Sequence, residues 1–166
     1  MGGAAMRWWM AVAVVALSAG GARAQDLASV QARAIAALGE GYVARIEDQR
    51  MTLTCPGCEG APAVELGLGR AEDNTETRLR SGYTSIASLD QQCRARNPTC
   101  RVERADLGRA VGWVSAYRAG EVAGSTMVLL RDGTRVIARS VAASPEVARG
   151  NVDRLRAAVL PALVGP

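Results

Sequence analysis

The stretch STMVLLRDGTRVIARSV, residues 125–141, decides the fold. Two strand-like runs, Ser125 to Arg131 and Thr134 to Val141, flank the dipeptide Asp132-Gly133. Such a two-residue link is a tight hairpin turn, because Gly tolerates the positive φ that the turn requires. The runs are therefore antiparallel neighbours. A third run, Ala110 to Tyr117, precedes them and extends the hairpin to a meander. On it Val111, Trp113, Ser115 and Tyr117 share one face, which predicts a core stripe beneath a helix in preference to a ligand platform. On the last run Arg135 and Arg139 share a face with Ile137, leaving an open, partly apolar surface for a partner.

C-terminal to the hairpin, Ser144-Pro145 opens a helix with a capping Ser and a Pro in the first turn. Val147, Val152, Leu155 and Val159 give it an inward face, and Pro161 limits its end. N-terminal to the meander, Asp26 caps a helix on which Leu27, Val30, Ala34, Ile35 and Leu38 recur at helical spacing, with Gly39 and Gly41 as stops. Tyr42 to Ile46 and Met51 to Cys55 are extended, and Val64, Leu66 and Leu68 alternate again. Residues 69–82 are polar and turn-rich, an exposed loop. Ser85 caps a helix carrying Ile86, Leu89 and Cys93, ended by Asn97-Pro98, and a short strand runs from Cys100 to Glu103. The glycines Gly57, Gly60, Gly67, Gly69 and Gly82 fall in turns and match no phosphate-cradling pattern.

This layout is α+β: an antiparallel sheet of about five or six strands packed with about three helices. The order of elements resembles the Mog1/PsbP-like sandwich, in which helices cover an antiparallel sheet. The resemblance is architectural, spans most of the chain after residue 24, and implies no functional residue.

Composition excludes more than it assigns. The 166 residues contain no His and no Lys, so all 20 basic residues are Arg. Without His there is no Ser-His-Asp or Cys-His machinery and no His-ligated zinc. Without Lys there is neither a Schiff base nor a phosphate-loop lysine. Ser and Thr nucleophiles lack a base, and Glu47/Asp48, adjacent acids in a turn, fit surface charge better than acid–base work.

Residues 1–24 have the form of a secretory signal peptide. Arg7 is the positive start, Trp8 to Leu17 the apolar stretch, and Ala22-Arg23-Ala24 the small-x-small cleavage site, predicting a mature start at Gln25. No lipobox Cys follows, and the apolar run falls short of the ~20 residues of a membrane span. The Ala/Gly/Arg-rich, Lys-free composition suits a high-GC bacterium and hence the periplasm. Residues 25–166 then form a single domain with no membrane span. Its 18 Arg against 16 acids leave a net charge of +2, interspersed along the chain, which points away from nucleic acid.

Four cysteines in an exported chain favour disulfides. Local pairing, Cys55 with Cys58 and Cys93 with Cys100, is favoured, and cross-pairing is the alternative that geometry could select. On the chain-entropy model the eight-residue loop contributes about 2.5 kcal/mol and the four-residue loop about 1.9. Cys55-Pro56-Gly57-Cys58 also has the spacing of a redox dithiol, giving a thiol–disulfide oxidoreductase as one alternative. Glu59, Gly60 and Pro62 are a poor start for the helix that would stabilise its thiolate. The same run looks like one knuckle of a zinc ribbon, but the second pair is C-x₆-C where a second C-x₂-C is wanted.

The densest set of hard oxygen donors is Glu72, Asp73, Asn74 and Glu76. Calcium-type ions take six to eight oxygens, so this loop would need water or a second copy to complete a site. Arg70, Arg78 and Arg80 stand nearby to neutralise it. A hard-cation trafficking protein, for a lanthanide among others, is the other alternative. The leading expectation is a non-enzymatic periplasmic accessory or binding protein without a cofactor, whose partner is a periplasmic protein or small ligand.

Overall fold

The computed structural model describes residues 26–165, so the signal peptide expected at residues 1–24 and the expected start at Gln25 lie outside the described residues. The Asp132-Gly133 turn is as expected: both residues have positive φ, 49° and 75°, as a type I′ hairpin requires. It joins β6 (Val122–Arg131) to β7 (Thr134–Ala142). A second two-residue hairpin, Gly120-Glu121, joins β5 (Val111–Ala119) to β6, with Gly120 at φ 61° in the position a type II′ turn reserves for Gly. Both strands are thereby longer than their apolar runs suggest.

Seven strands form one antiparallel sheet in the order β1-β2-β3-β7-β6-β5-β4. The remaining strands are β1 (Val43–Glu47), β2 (Arg50–Thr54), β3 (Ala63–Arg70) and β4 (Arg101–Arg104). Two sequence-local meanders, β1-β2-β3 and β4-β5-β6-β7, meet where β3 pairs with β7, Leu66 facing Ala138. Gly67 and Gly69 lie inside β3, not in turns as expected. Their missing side chains leave its outer face flat beside Arg135 and Ile137.

One face of the sheet carries the large core. α1 (Leu27–Leu38), α4 (Pro145–Ala158) and α5 (Leu160–Val164) pack there on Leu53, Leu66, Met127, Leu129 and Val136. Asp26 caps α1 through the Ser29 amide at 2.8 Å, and Ser144 caps α4 through the Val147 amide at 3.2 Å. Val147 itself points outward, 41% exposed. The buried stripe of α4 is Ala148, Asn151, Val152 and Leu155, whose three- and four-residue steps keep one helical face. α4 ends at Ala158, three residues before Pro161, which itself sits in the first turn of α5, where its missing N–H costs nothing.

Beneath α4 lies a buried polar cluster. The Asn151 side-chain amide donates to the Tyr42 hydroxyl and to Ser140 Oγ, both at 3.1 Å. Ser125, the cross-strand partner of Ser140, is fully buried and its hydroxyl has no partner among the described residues.

The opposite face is covered at one end by α2 (Thr75–Arg80) and α3 (Ile86–Arg96). Residues 69–82 are therefore not a plain exposed loop. Their first two residues end β3, and α2 buries Leu79 against Val111 and Leu130. The two disulfides are Cys55–Cys58 and Cys93–Cys100, with Cα separations of 5.3 and 5.6 Å inside the normal range. Such bridges fit an oxidising, extracellular-type environment. Among the described residues no helix is long and apolar enough to cross a membrane.

Candidate functional site

β5 alternates: Gly112 and Val114 face the large core, while Val111, Trp113, Ser115 and Tyr117 face the other way. The stripe does lie beneath a helix, but only Val111 is fully buried. Trp113, Ser115 and Tyr117 are half-buried because α3 stands off the sheet. None of α3's residues is buried, and its composition explains why: Asp90, Gln91, Gln92, Arg94 and Arg96 leave too few apolar positions for a full face.

Polar and covalent ties hold α3 instead. Ser85 caps it through the Ser88 amide at 3.1 Å, and the Asp90 carboxylate accepts the Val102 amide of β4 at 2.9 Å. The Asn97 side-chain amide donates to the Arg118 carbonyl at 2.9 Å, and the Cys93–Cys100 bridge ties the end of the helix to the start of β4. The gap left between helix and sheet is a cleft of about 370 Å³. Leu89, Gln92, Cys93 and Arg96 form its helical side; Val102, Trp113, Ser115 and Tyr117 form the sheet side.

The two aromatic walls are held in place. Tyr117 lies across Gly124 on β6, so closely that a Cβ there would fall 2.4 Å from the ring. Its hydroxyl accepts from Arg139 at 3.2 Å. Trp113 packs on the small cluster of Leu79, Val111 and Leu130. Between them Ser115 is small, so the floor dips where the walls rise. A fixed concavity with apolar walls and a few polar groups has the make-up of a small-molecule site.

The other sequence-derived candidates are placed differently. Cys55 follows β2 and is buried at 1% exposure in the large core, with Cys58 packed beside it. Turns, not a helix, occupy residues 56–60, so no helix N-terminus faces the sulfurs. In the acidic segment, Asp73 accepts the Thr75 amide at 3.2 Å, and the hydroxyl and amide of Thr75 hold its carboxyl below the ordinary range. Glu76 turns away to Arg80, at 2.8 Å, and accepts the Gly133 amide of the hairpin turn at 3.1 Å. Partial burial pushes the Glu76 carboxyl up, but Arg80 and the Gly133 amide outweigh it, and the net shift is downward. Glu72 and Asn74 are exposed. Among the described residues no three His, Cys, Asp or Glu side chains are grouped to hold a metal.

Glu47 pairs with Arg45, and Asp48 occupies the β1–β2 turn at φ 50°. Both border a second hollow, of about 400 Å³, with Arg50, Glu65, Gly67, Arg135 and Ile137 on the outer sheet face. Arg135 and Arg139 are exposed there and Ile137 is half-buried, a mixed-charge surface.

Sequence reasoning reached Trp113 and Tyr117 but missed Gln92, Arg96 and Val102 as cleft residues. The available signal was the spacing of Leu89, Cys93 and Arg96 along one side of a helix otherwise short of apolar residues. No protein-family model matches this chain, and no curated protein is significantly similar to it.

Proposed function

We propose that this chain is a non-enzymatic accessory protein of the periplasm, needing no cofactor, that binds a small ligand in the cleft between α3 and the sheet. The observation that carries this reading is the cleft itself: fixed aromatic walls around a small floor residue, under a helix that the fold holds off the sheet. The absence of His and Lys from the sequence and the two disulfides support a binding role in an oxidising compartment. The oxidoreductase alternative is weaker, because Cys55 is buried and lacks the helix N-terminus that would stabilise a thiolate. The cation alternative is weaker because Glu76 is already engaged by Arg80 and Gly133.

Binding can be followed at the indole N–H of Trp113, assigned in a ¹H–¹⁵N spectrum with Trp113→Phe. Titration of the exported protein with 3-phenylpropan-1-ol, a neutral apolar probe, should shift that resonance. Ser115→Leu, which fills the floor, should abolish the shift while leaving the thermal midpoint within about 2 °C. A probe that shifts amides elsewhere and leaves Trp113 unmoved in the unaltered protein would remove the cleft from consideration.

A further inference from the structure

We infer that the ligand of this cleft is a small apolar carboxylate, an aryl- or alkyl-substituted acid whose anionic group meets Arg96; the inference rests on the cleft being a binding site. Charge complementarity carries it. Of the residues that line the cleft, Arg96 alone is charged, and no carboxylate lines it. Arg96 has no ion-pair partner among the described residues, whereas Arg94, two residues earlier, is paired with Asp90 at 2.7 Å. Asp90 is doubly engaged, since its other oxygen accepts the Val102 amide, so it does not neutralise the cleft.

Both arginines stand in the last turn of α3, where a cation is favoured by the helix dipole. That general preference explains why Arg occurs there. What bears on the ligand is that Arg96 lines the aromatic hollow and no carboxylate lines it alongside. The remaining polar side chains at the cleft are Gln92, Asn97, Ser115 and Tyr117, none of them a carboxylate. Arg139 adds a second cation just behind the wall through its bond to the Tyr117 hydroxyl.

A guanidinium presents N–H donors in a fork that matches a carboxylate, and the apolar body of the ligand would lie between Trp113 and Tyr117. Those residues are four apart on one strand, roughly 13 Å at strand rise, and Ser115 between them leaves the depth. The cleft thus selects for length and flatness through the sheet, and for charge through the helix.

The test is a matched pair of probes, 3-phenylpropanoate and 3-phenylpropan-1-ol, titrated against the Trp113 indole resonance at low salt. The carboxylate should bind about fivefold more tightly than the alcohol, the advantage of one exposed charge-assisted contact. Arg96→Gln should bring the two to parity, and Arg94→Gln should leave the preference intact. Because α3 buries no residue, neither substitution threatens the fold. Equal binding of both probes by the unaltered protein would overturn the carboxylate assignment while leaving the cleft a binding site. A preference lost equally in both variants would also overturn it, as an effect of net charge. Binding of neither probe would overturn the cleft and the assignment together.

Discussion

The two faces of the sheet are built by opposite means. On one, α1, α4 and α5 bury Val30, Leu155, Leu160 and Leu163 against a continuous apolar surface. On the other, α2 and α3 together bury one residue, Leu79, and α3 is held by a cap, two cross-element hydrogen bonds and a disulfide. Close packing makes the first face stable and leaves no room for a ligand. Ties from the middle and the C-terminal end of α3 let the second face keep a hollow under the helix. A site of this kind needs a helix that is positioned without being packed.

The contrast is broken or sharpened most strongly by paired truncations. Leu155→Ala should destabilise the protein by about 3 kcal/mol, the usual cost of emptying a packed site, and Leu89→Ala by less than about 1 kcal/mol. Urea unfolding of the two variants measures both; similar losses would mean that the faces are not differently built. Next in size is the tether. Cys93→Ala with Cys100→Ala should cost about 2.5 kcal/mol by the chain-entropy estimate. Hydrogen exchange on that double variant should show protection lost in α3 and retained in α1 and α4.

The smallest effect concerns α2. Glu76→Gln should lower stability by about 1 kcal/mol near neutral pH. The folded Glu76 carboxyl titrates below its ordinary 4.5, so its contribution is complete above that value and is lost as pH falls through the folded pKa. Urea midpoints of the unaltered protein and the variant should differ at about pH 7, and the difference should shrink as the pH falls below 4.5.

What could be read from the sequence follows the same division. Local chemistry sufficed where turns and caps set the structure: Asp132-Gly133, Asp26, Ser85 and Ser144 all act as their residue types suggest, and both local disulfides form. Where tertiary contact decided, the sequence misled. The six residues of α2 contain a single apolar side chain, Leu79, so nothing in their periodicity announces a helix. Val147 reads as inward for its hydrophobicity, yet lies five residues from Val152, out of phase with the stripe that Ala148 begins. The acidic quartet reads as one donor set, yet Glu76 turns toward the hairpin. The cleft was illegible for a related reason: its depth depends on how far α3 stands from β5, which no spacing in either element records.

The order of strands also bears on how the chain reaches this state. Five of the six strand pairings join strands that are consecutive in the chain, so β1-β2-β3 and β4-β5-β6-β7 can each zip up early. The β3·β7 seam is different: it closes only after all of residues 71–133 have been gathered between its two strands. Loop-closure entropy makes that pairing the slow, non-local event of folding. α1 from the first half of the chain and α4 from the last then dock across the seam and lock it. A nascent chain therefore holds an unpaired β3 edge until its C-terminal third emerges, the interval in which it most needs to be kept from its own copies.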